Sequence, residues 1–103
     1  LIMGNNSFEM ISLDDAKDII KDEDALILDI RDEASYSDSH YPNAIHLSNK
    51  NFNEVIEKTE RKKTILVYCY KGISSQNVAQ HFCNLGFESV YSLNGGYKES
   101  SAE

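Results

Sequence analysis

Apolar and polar residues in this chain follow two alternating patterns. Leu13, Ala16, Ile19 and Ile20 recur at helical spacing, with Asp and Lys residues on the opposite face. Ser12 stands where an N-cap belongs, and Asp15 follows three residues on. A short strand is expected just before it, over 8–11. Residues 25–30 form a short, nearly continuous apolar run, which suits a strand buried on both faces. A short helix is expected over 34–39, stopped by Pro42, and a third strand over 44–47. Phe52, Val55 and Ile56 place a further helix over 51–60. The clearest strand is 64–68, a β-branched and apolar run after the charged Arg61-Lys62-Lys63. Residues 75–85 read as a helix, with Val78, Ala79, Phe82 and Leu85 on one face and Gly86 at the C′ position. The last strand is expected over 90–93, before Gly95-Gly96 and a polar tail.

Strands alternating with helices at this spacing predict an α/β fold: a parallel five-stranded sheet with helices on both faces. Ligands bind such sheets outside the carboxyl ends of the strands. The chain has 103 residues, 41% hydrophobic and 26% charged, which fits one globular domain. That domain is expected to span 8–99. Residues 1–7 are expected to be an N-terminal extension, in which Leu1 and Ile2 precede Met3 as the native start.

Composition narrows the partners. A net charge of −7 argues against nucleic acid and against anionic membrane surfaces. No apolar stretch is long enough to span a bilayer. Two cysteines, Cys69 and Cys83, make neither a disulfide framework nor a metal-ligand cluster, so no metal and no cofactor are expected. This cysteine usage predicts reduced thiols and a cytoplasmic location.

The candidate chemistry centres on Cys69, at the carboxyl end of the clearest strand. Tyr70, Lys71, Gly72, Ile73, Ser74 and Ser75 follow, and then a helix. A strand–loop–helix unit turns its loop amides and the helix N-terminus toward one point, which makes an anion site. A thiol placed there is drawn toward its thiolate. Gly72 permits a tight turn, Lys71 adds a cation, and Ser74 and Ser75 are expected to cap the helix and offer hydroxyls to the loop. Cys83, beside Phe82 on the apolar helix face, reads as core. Asp29 and Arg31 read as a structural ion pair, or as bonding loop backbone, near the sheet end, and His40 as a packing or backbone-bonded residue. His46 and His81 read as single histidines without partners. The acidic residues between Asp14 and Asp24 read as a solvated face.

Four segments together resemble the rhodanese domain family, and within it the single-domain thiosulfate sulfurtransferases. Leu28-Asp29-Ile30-Arg31-Asp32 resembles the family's Asp-x-Arg after its second strand. Ser39-His40-Tyr41-Pro42-Asn43-Ala44-Ile45-His46 resembles its Gly-His-Ile-Pro-Gly-Ala segment. Cys69-Tyr70-Lys71-Gly72-Ile73-Ser74-Ser75 resembles its active-site loop, and Tyr91-Ser92-Leu93-Asn94-Gly95-Gly96-Tyr97 its closing glycine pair. The chain departs from the family at Ser74, where many two-domain members have Arg, and at Lys71, where His is frequent. Ile73 replaces a polar residue, and the Trp that commonly follows the glycine pair is absent. The resemblance implies that Cys69 takes the outer sulfur of thiosulfate as a persulfide and releases sulfite. The sulfur then passes to cyanide, or to a thiol or dithiol acceptor such as a thioredoxin-like protein, in a ping-pong cycle. Residues 70–75 would bind the substrate. Two other readings compete. One is a persulfide carrier or interaction module without turnover. The other is a rhodanese-related phosphatase or arsenate reductase, which would need Arg six residues after the cysteine, where Ser75 stands.

Overall fold

The sequence pattern sorts onto two faces of one sheet. A computed structural model describes residues 7–98. The elements run β1 (Glu9–Ile11), α1 (Leu13–Lys21), β2 (Leu26–Asp29), α2 (Glu33–Asp38), β3 (Ala44–His46), α3 (Phe52–Lys58), β4 (Thr64–Tyr68), α4 (Ser74–Asn84) and β5 (Ser89–Leu93). The five strands form one parallel sheet in the order β1-β5-β4-β2-β3. Within β4, Ile65 and Val67 point into one core cluster with Ala79, Phe82, Cys83 and Phe87, and α3 packs there through Phe52, Val55 and Ile56. Leu66 and Tyr68 point into the opposite cluster with Ala16 and Ile20 of α1, and Tyr36 of α2 packs against it. The period-two alternation of β4 therefore feeds both helical layers, as expected for a strand buried on both sides.

Several boundaries shift from the expected ones for local reasons. The second helix begins at Glu33, because the Asp32 carboxylate accepts the Ser35 N–H at 2.8 Å and acts as its N-cap. The third helix is shorter than the apolar pattern implied. The Asn51 side chain is committed to the preceding turn, accepting from Ser48 N–H and donating to the His46 carbonyl. The Ser12 hydroxyl does cap α1, accepting from Asp15 N–H at 3.1 Å. Gly86 ends α4 with φ +100°, as its C′ position requires. Most of the expected extension 1–7, and residue 99, lie outside the described residues.

Strand β4 lies between β2 and β5, so its carboxyl end is flanked on both sides. Cys69 follows its last residue, Tyr68. No helix among the described residues is long and apolar enough to cross a membrane.

Candidate active site

Strand β4 delivers Cys69 to the carboxyl edge of the sheet, and the next five residues turn back around its sulfur. Gly72 N–H donates to Cys69 Sγ at 3.1 Å and Ser75 N–H at 3.3 Å, and the Ser75 hydroxyl lies 3.3 Å from the same sulfur. The backbone N–H of Lys71 adds a smaller pull in the same direction. Burial alone would push this thiol up. The Ser75 hydroxyl and the N–H groups of Ser75, Gly72 and Lys71 outweigh burial and hold Cys69 below the ordinary thiol range. The sulfur stands in an open pocket of about 430 Å³ lined by Tyr70, Lys71, Ile73 and Ser74.

The loop holds this shape because other backbone lies tightly against it. Gly72 has φ +89°, and a Cβ there would stand 2.7 Å from Gly95 N and 3.0 Å from Leu93 O. A Cβ on Gly96, also at positive φ, would collide with the Tyr70 carbonyl. Tyr97 N–H donates to the Cys69 carbonyl at 2.9 Å, and Gln76 Nε2 donates to the Gly72 carbonyl at 2.7 Å. The glycine pair after β5 is therefore the floor on which the cysteine loop rests.

The serines meet the expectation only in part: the Ser75 hydroxyl reaches the sulfur of the loop, but the capping does not follow. The cap position of α4 is Ile73, which makes no side-chain cap bond, so neither Ser74 nor Ser75 caps the helix. The sulfur instead accepts the Ser75 N–H, one of the orphan donors of the first turn, and takes the place of a cap side chain. The Ser75 hydroxyl is fully buried and lies 2.8 Å from Ser92 Oγ. Ser74 and Ile73 are exposed at the rim, Ile73 at 70%.

Asp29 and Arg31 form the expected ion pair, and it is buried. Arg31 Nη2 donates to Asp29 Oδ2 at 2.7 Å and Nε to both carboxylate oxygens at 3.1 Å. Arg31 also donates to the Ser39 carbonyl at 2.5 Å and lies 4.1 Å over the Tyr97 ring. It thereby ties β2, the segment after α2 and the segment after β5 together behind the cysteine loop. His40 stacks on Tyr36 at 3.9 Å and bonds the Tyr36 carbonyl through Nδ1, away from the pocket lining. His46, expected to lack a partner, bonds the Arg31 carbonyl through Nε2 at 2.5 Å. His81 lies 5.5 Å from the Phe52 ring. Lys71 is exposed and makes no ion pair among the described residues.

Two features had been missed. The Tyr70 hydroxyl is tied to the Asp32 carboxylate and to Ser35 Oγ, so a half-exposed ring beside the nucleophile is held by the start of α2. Its signal was the N-cap pattern at Asp32. The second is Ser92, a fully buried polar residue inside the last strand. Its position two residues from Val90 sets it on the α4 face.

A sequence model of the rhodanese-like domain matches residues 12–103. The thiosulfate sulfurtransferase GlpE of Coxiella burnetii is 47% identical over 91 residues, covering 88% of this chain and 85% of that protein. The thiosulfate sulfurtransferase GlpE of Vibrio cholerae serotype O1 is 41% identical over 91 residues, covering 88% and 86%. In fold, a rhodanese-like domain protein from Staphylococcus aureus matches with a TM-score of 0.72 at 18% identity, over 86% of this chain and 87% of that one.

Proposed function

The chain belongs to the rhodanese-like domain family, and from that premise we propose that it is a thiosulfate sulfurtransferase with Cys69 as its nucleophile. The observation that carries this reading is the set of N–H donors from Gly72 and Ser75 converging on a sulfur at the mouth of a pocket. Such donors stabilise a thiolate before reaction and a persulfide anion after it. The Cys69 thiolate attacks the outer sulfur of thiosulfate. The new S–S bond forms as the old one breaks, and the bonding pair leaves with sulfite. In the second half-reaction an acceptor attacks the outer persulfide sulfur, and Cys69 leaves as thiolate. Cyanide becomes thiocyanate. A thiol becomes a persulfide, which a second thiol of a dithiol acceptor resolves to a disulfide and hydrosulfide.

The pocket is lined by residues 70, 71, 73 and 74, while Gly72 and Ser75 reach the sulfur directly, so the whole loop takes part in binding. The unit at work is the expected domain 8–99, and a reducing compartment such as the cytoplasm suits a nucleophile that has to stay a thiolate. Incubation with thiosulfate should add about 32 Da to Cys69, the mass of one sulfur. Initial rates with thiosulfate and cyanide should then give the parallel double-reciprocal lines of a ping-pong cycle. A persulfide that forms once but does not turn over with cyanide or a dithiol would convert the reading to a stoichiometric carrier. Absence of any sulfur on Cys69 would overturn it.

A further inference from the structure

Behind the nucleophile lies a chain of two buried hydroxyls. Ser92 Oγ is 2.8 Å from Ser75 Oγ, and Ser75 Oγ is 3.3 Å from Cys69 Sγ. Both serines are fully buried. Each hydroxyl has one proton to donate, so the chain has two possible orders. In one, Cys69 S–H donates to Ser75, which donates to Ser92, and the Ser92 proton needs an acceptor of its own. In the other, Ser92 donates to Ser75, and Ser75 donates to the sulfur. Among the described residues, Ser75 Oγ is the side-chain partner that Ser92 Oγ has. The first order strands a buried O–H, whereas the second places every proton.

We propose that Ser92 is a positioning residue for the nucleophile: its hydroxyl donates to Ser75 Oγ and so turns the Ser75 proton toward Cys69 Sγ, where it holds the sulfur as thiolate. The inference deepens the sulfurtransferase reading and rests on it for its role in catalysis, although the proton order itself does not depend on which substrate is used. The register supports it, because Ser92 pairs with Val67 on β4, close to where that strand delivers Cys69. Donors in series also polarise one another, so a second hydroxyl strengthens the first bond to an anion. The Ser75 hydroxyl is among the groups that hold the Cys69 thiol below its ordinary range.

The charged and titratable groups around the site are Lys71 in the loop, the Asp29–Arg31 pair after β2, Asp32 and Tyr70 in their tie at the start of α2, and Tyr97 and Lys98 after β5. Cys69 Sγ accepts from the N–H groups of Gly72 and Ser75 and contacts the Ser75 hydroxyl, and all of these partners are uncharged. The pH response assigned to Ser92 is thus separable from those groups by a test that runs through Ser75.

The experiment is a double-mutant cycle in a Cys83→Ala background, reading the pH profile of iodoacetamide alkylation at Cys69 by mass spectrometry. Ser92→Ala is expected to move the profile toward higher pH and to leave about three- to tenfold less reactive thiolate at a fixed pH on its rising limb, a partial loss of a hydrogen bond to a charged group. Ser75→Ala is expected to have the larger effect. Adding Ser92→Ala to Ser75→Ala is expected to change nothing further, because Ser92 acts through Ser75. An unmoved profile in Ser92→Ala, or an equal shift on both backgrounds, would overturn the proposal. Alkylation needs no turnover, so a failed sulfurtransferase assay and a failed proton order remain distinct results.

Discussion

Two cysteines in this protein are equally buried and chemically opposite. Cys69 and Cys83 are both 4% exposed. Cys83 lies in α4 among Leu28, Ile65, Phe82 and Phe87, where burial pushes its thiol up. Cys69 meets the same burial, yet its thiol falls below the ordinary range because Ser75, Gly72 and Lys71 outweigh it. Burial does not separate a nucleophile from a filler residue here. The direction of the Ser75 hydroxyl and of nearby N–H groups does.

The sharpest way to break this contrast is to remove each sulfur in turn. Cys69→Ala is expected to lower sulfur transfer by roughly a thousandfold or more, as loss of a covalent nucleophile does. Cys83→Ala should keep most of the activity and cost about 1 kcal/mol in denaturant unfolding, through the small cavity it leaves. Comparable activity loss in the two variants would erase the distinction.

The next largest effect comes from spoiling the dipoles while leaving the sulfur in place. Gly72→Val forces a β-branched residue to φ +89° and drives a Cβ to 2.7 Å from Gly95 N. Strain of this kind costs about 1–3 kcal/mol. Moving the amides off the sulfur is expected to lower kcat/KM by about a hundredfold, similar to removing one oxyanion donor. Full activity in a folded variant would show that Gly72 does not shape the site.

How much of this contrast was legible in the sequence follows from the range of each interaction. The sheet, its two helical layers and Cys69 at the end of β4 follow from periodicity and from the strand–loop–helix succession, all of which lie within about a dozen residues. The role of the Ser75 amide did not follow. The local rule for a serine at a helix start is capping, and here a sulfur six residues earlier in the chain accepts the amide instead. Ser92 and Gly96 act on the loop from more than fifteen residues away, through β5 lying beside β4. Adjacency of those strands is a tertiary fact that no short window contains. The Asp32–Tyr70 tie, across 38 residues, was hidden for the same reason.

A smaller effect sharpens the comparison by pH. In the native protein Cys69 should be alkylated at least about tenfold faster than Cys83 near neutral pH, and the gap should vanish in denaturant, where both return to a thiol pKa of about 8.5. The linkage has a definite sign. A thiol whose pKa is lowered by folding stabilises the native state fully above the unfolded value, and that contribution disappears as pH falls through the folded value. Cys83, raised by folding, acts in the opposite sense and costs stability as pH climbs above the unfolded value. Denaturant unfolding from pH 6 to 10 should therefore show the Cys69→Ala variant losing ground to the parent as pH rises. The Cys83→Ala variant should gain on it. Parallel curves for both variants would show that folding treats the two thiols alike.

The smallest effect belongs to Lys71, the one cation between Cys69 and Ser75. Its backbone N–H already acts on the sulfur, and no substitution other than Pro removes that donor. What Lys71→Glu changes is a side-chain charge that is exposed and makes no ion pair among the described residues. A charge in water about 6 Å from its target is attenuated both by the dielectric and by salt, whose screening length is about 8 Å at physiological ionic strength. Reversing it should lower kcat/KM for thiosulfate by about two- to threefold at that ionic strength, with the penalty growing at low salt and disappearing near 1 M. Lys71→Met should fall about midway. The alkylation profile of Cys69 should move far less in Lys71→Glu than kcat/KM does, because the dianion arrives through the solvated mouth of the pocket while the sulfur is held by fixed amides. An alkylation profile that moved as far as in Gly72→Val would transfer the thiolate field from the backbone to the lysine, and the contrast between the two cysteines would then rest on one side-chain charge.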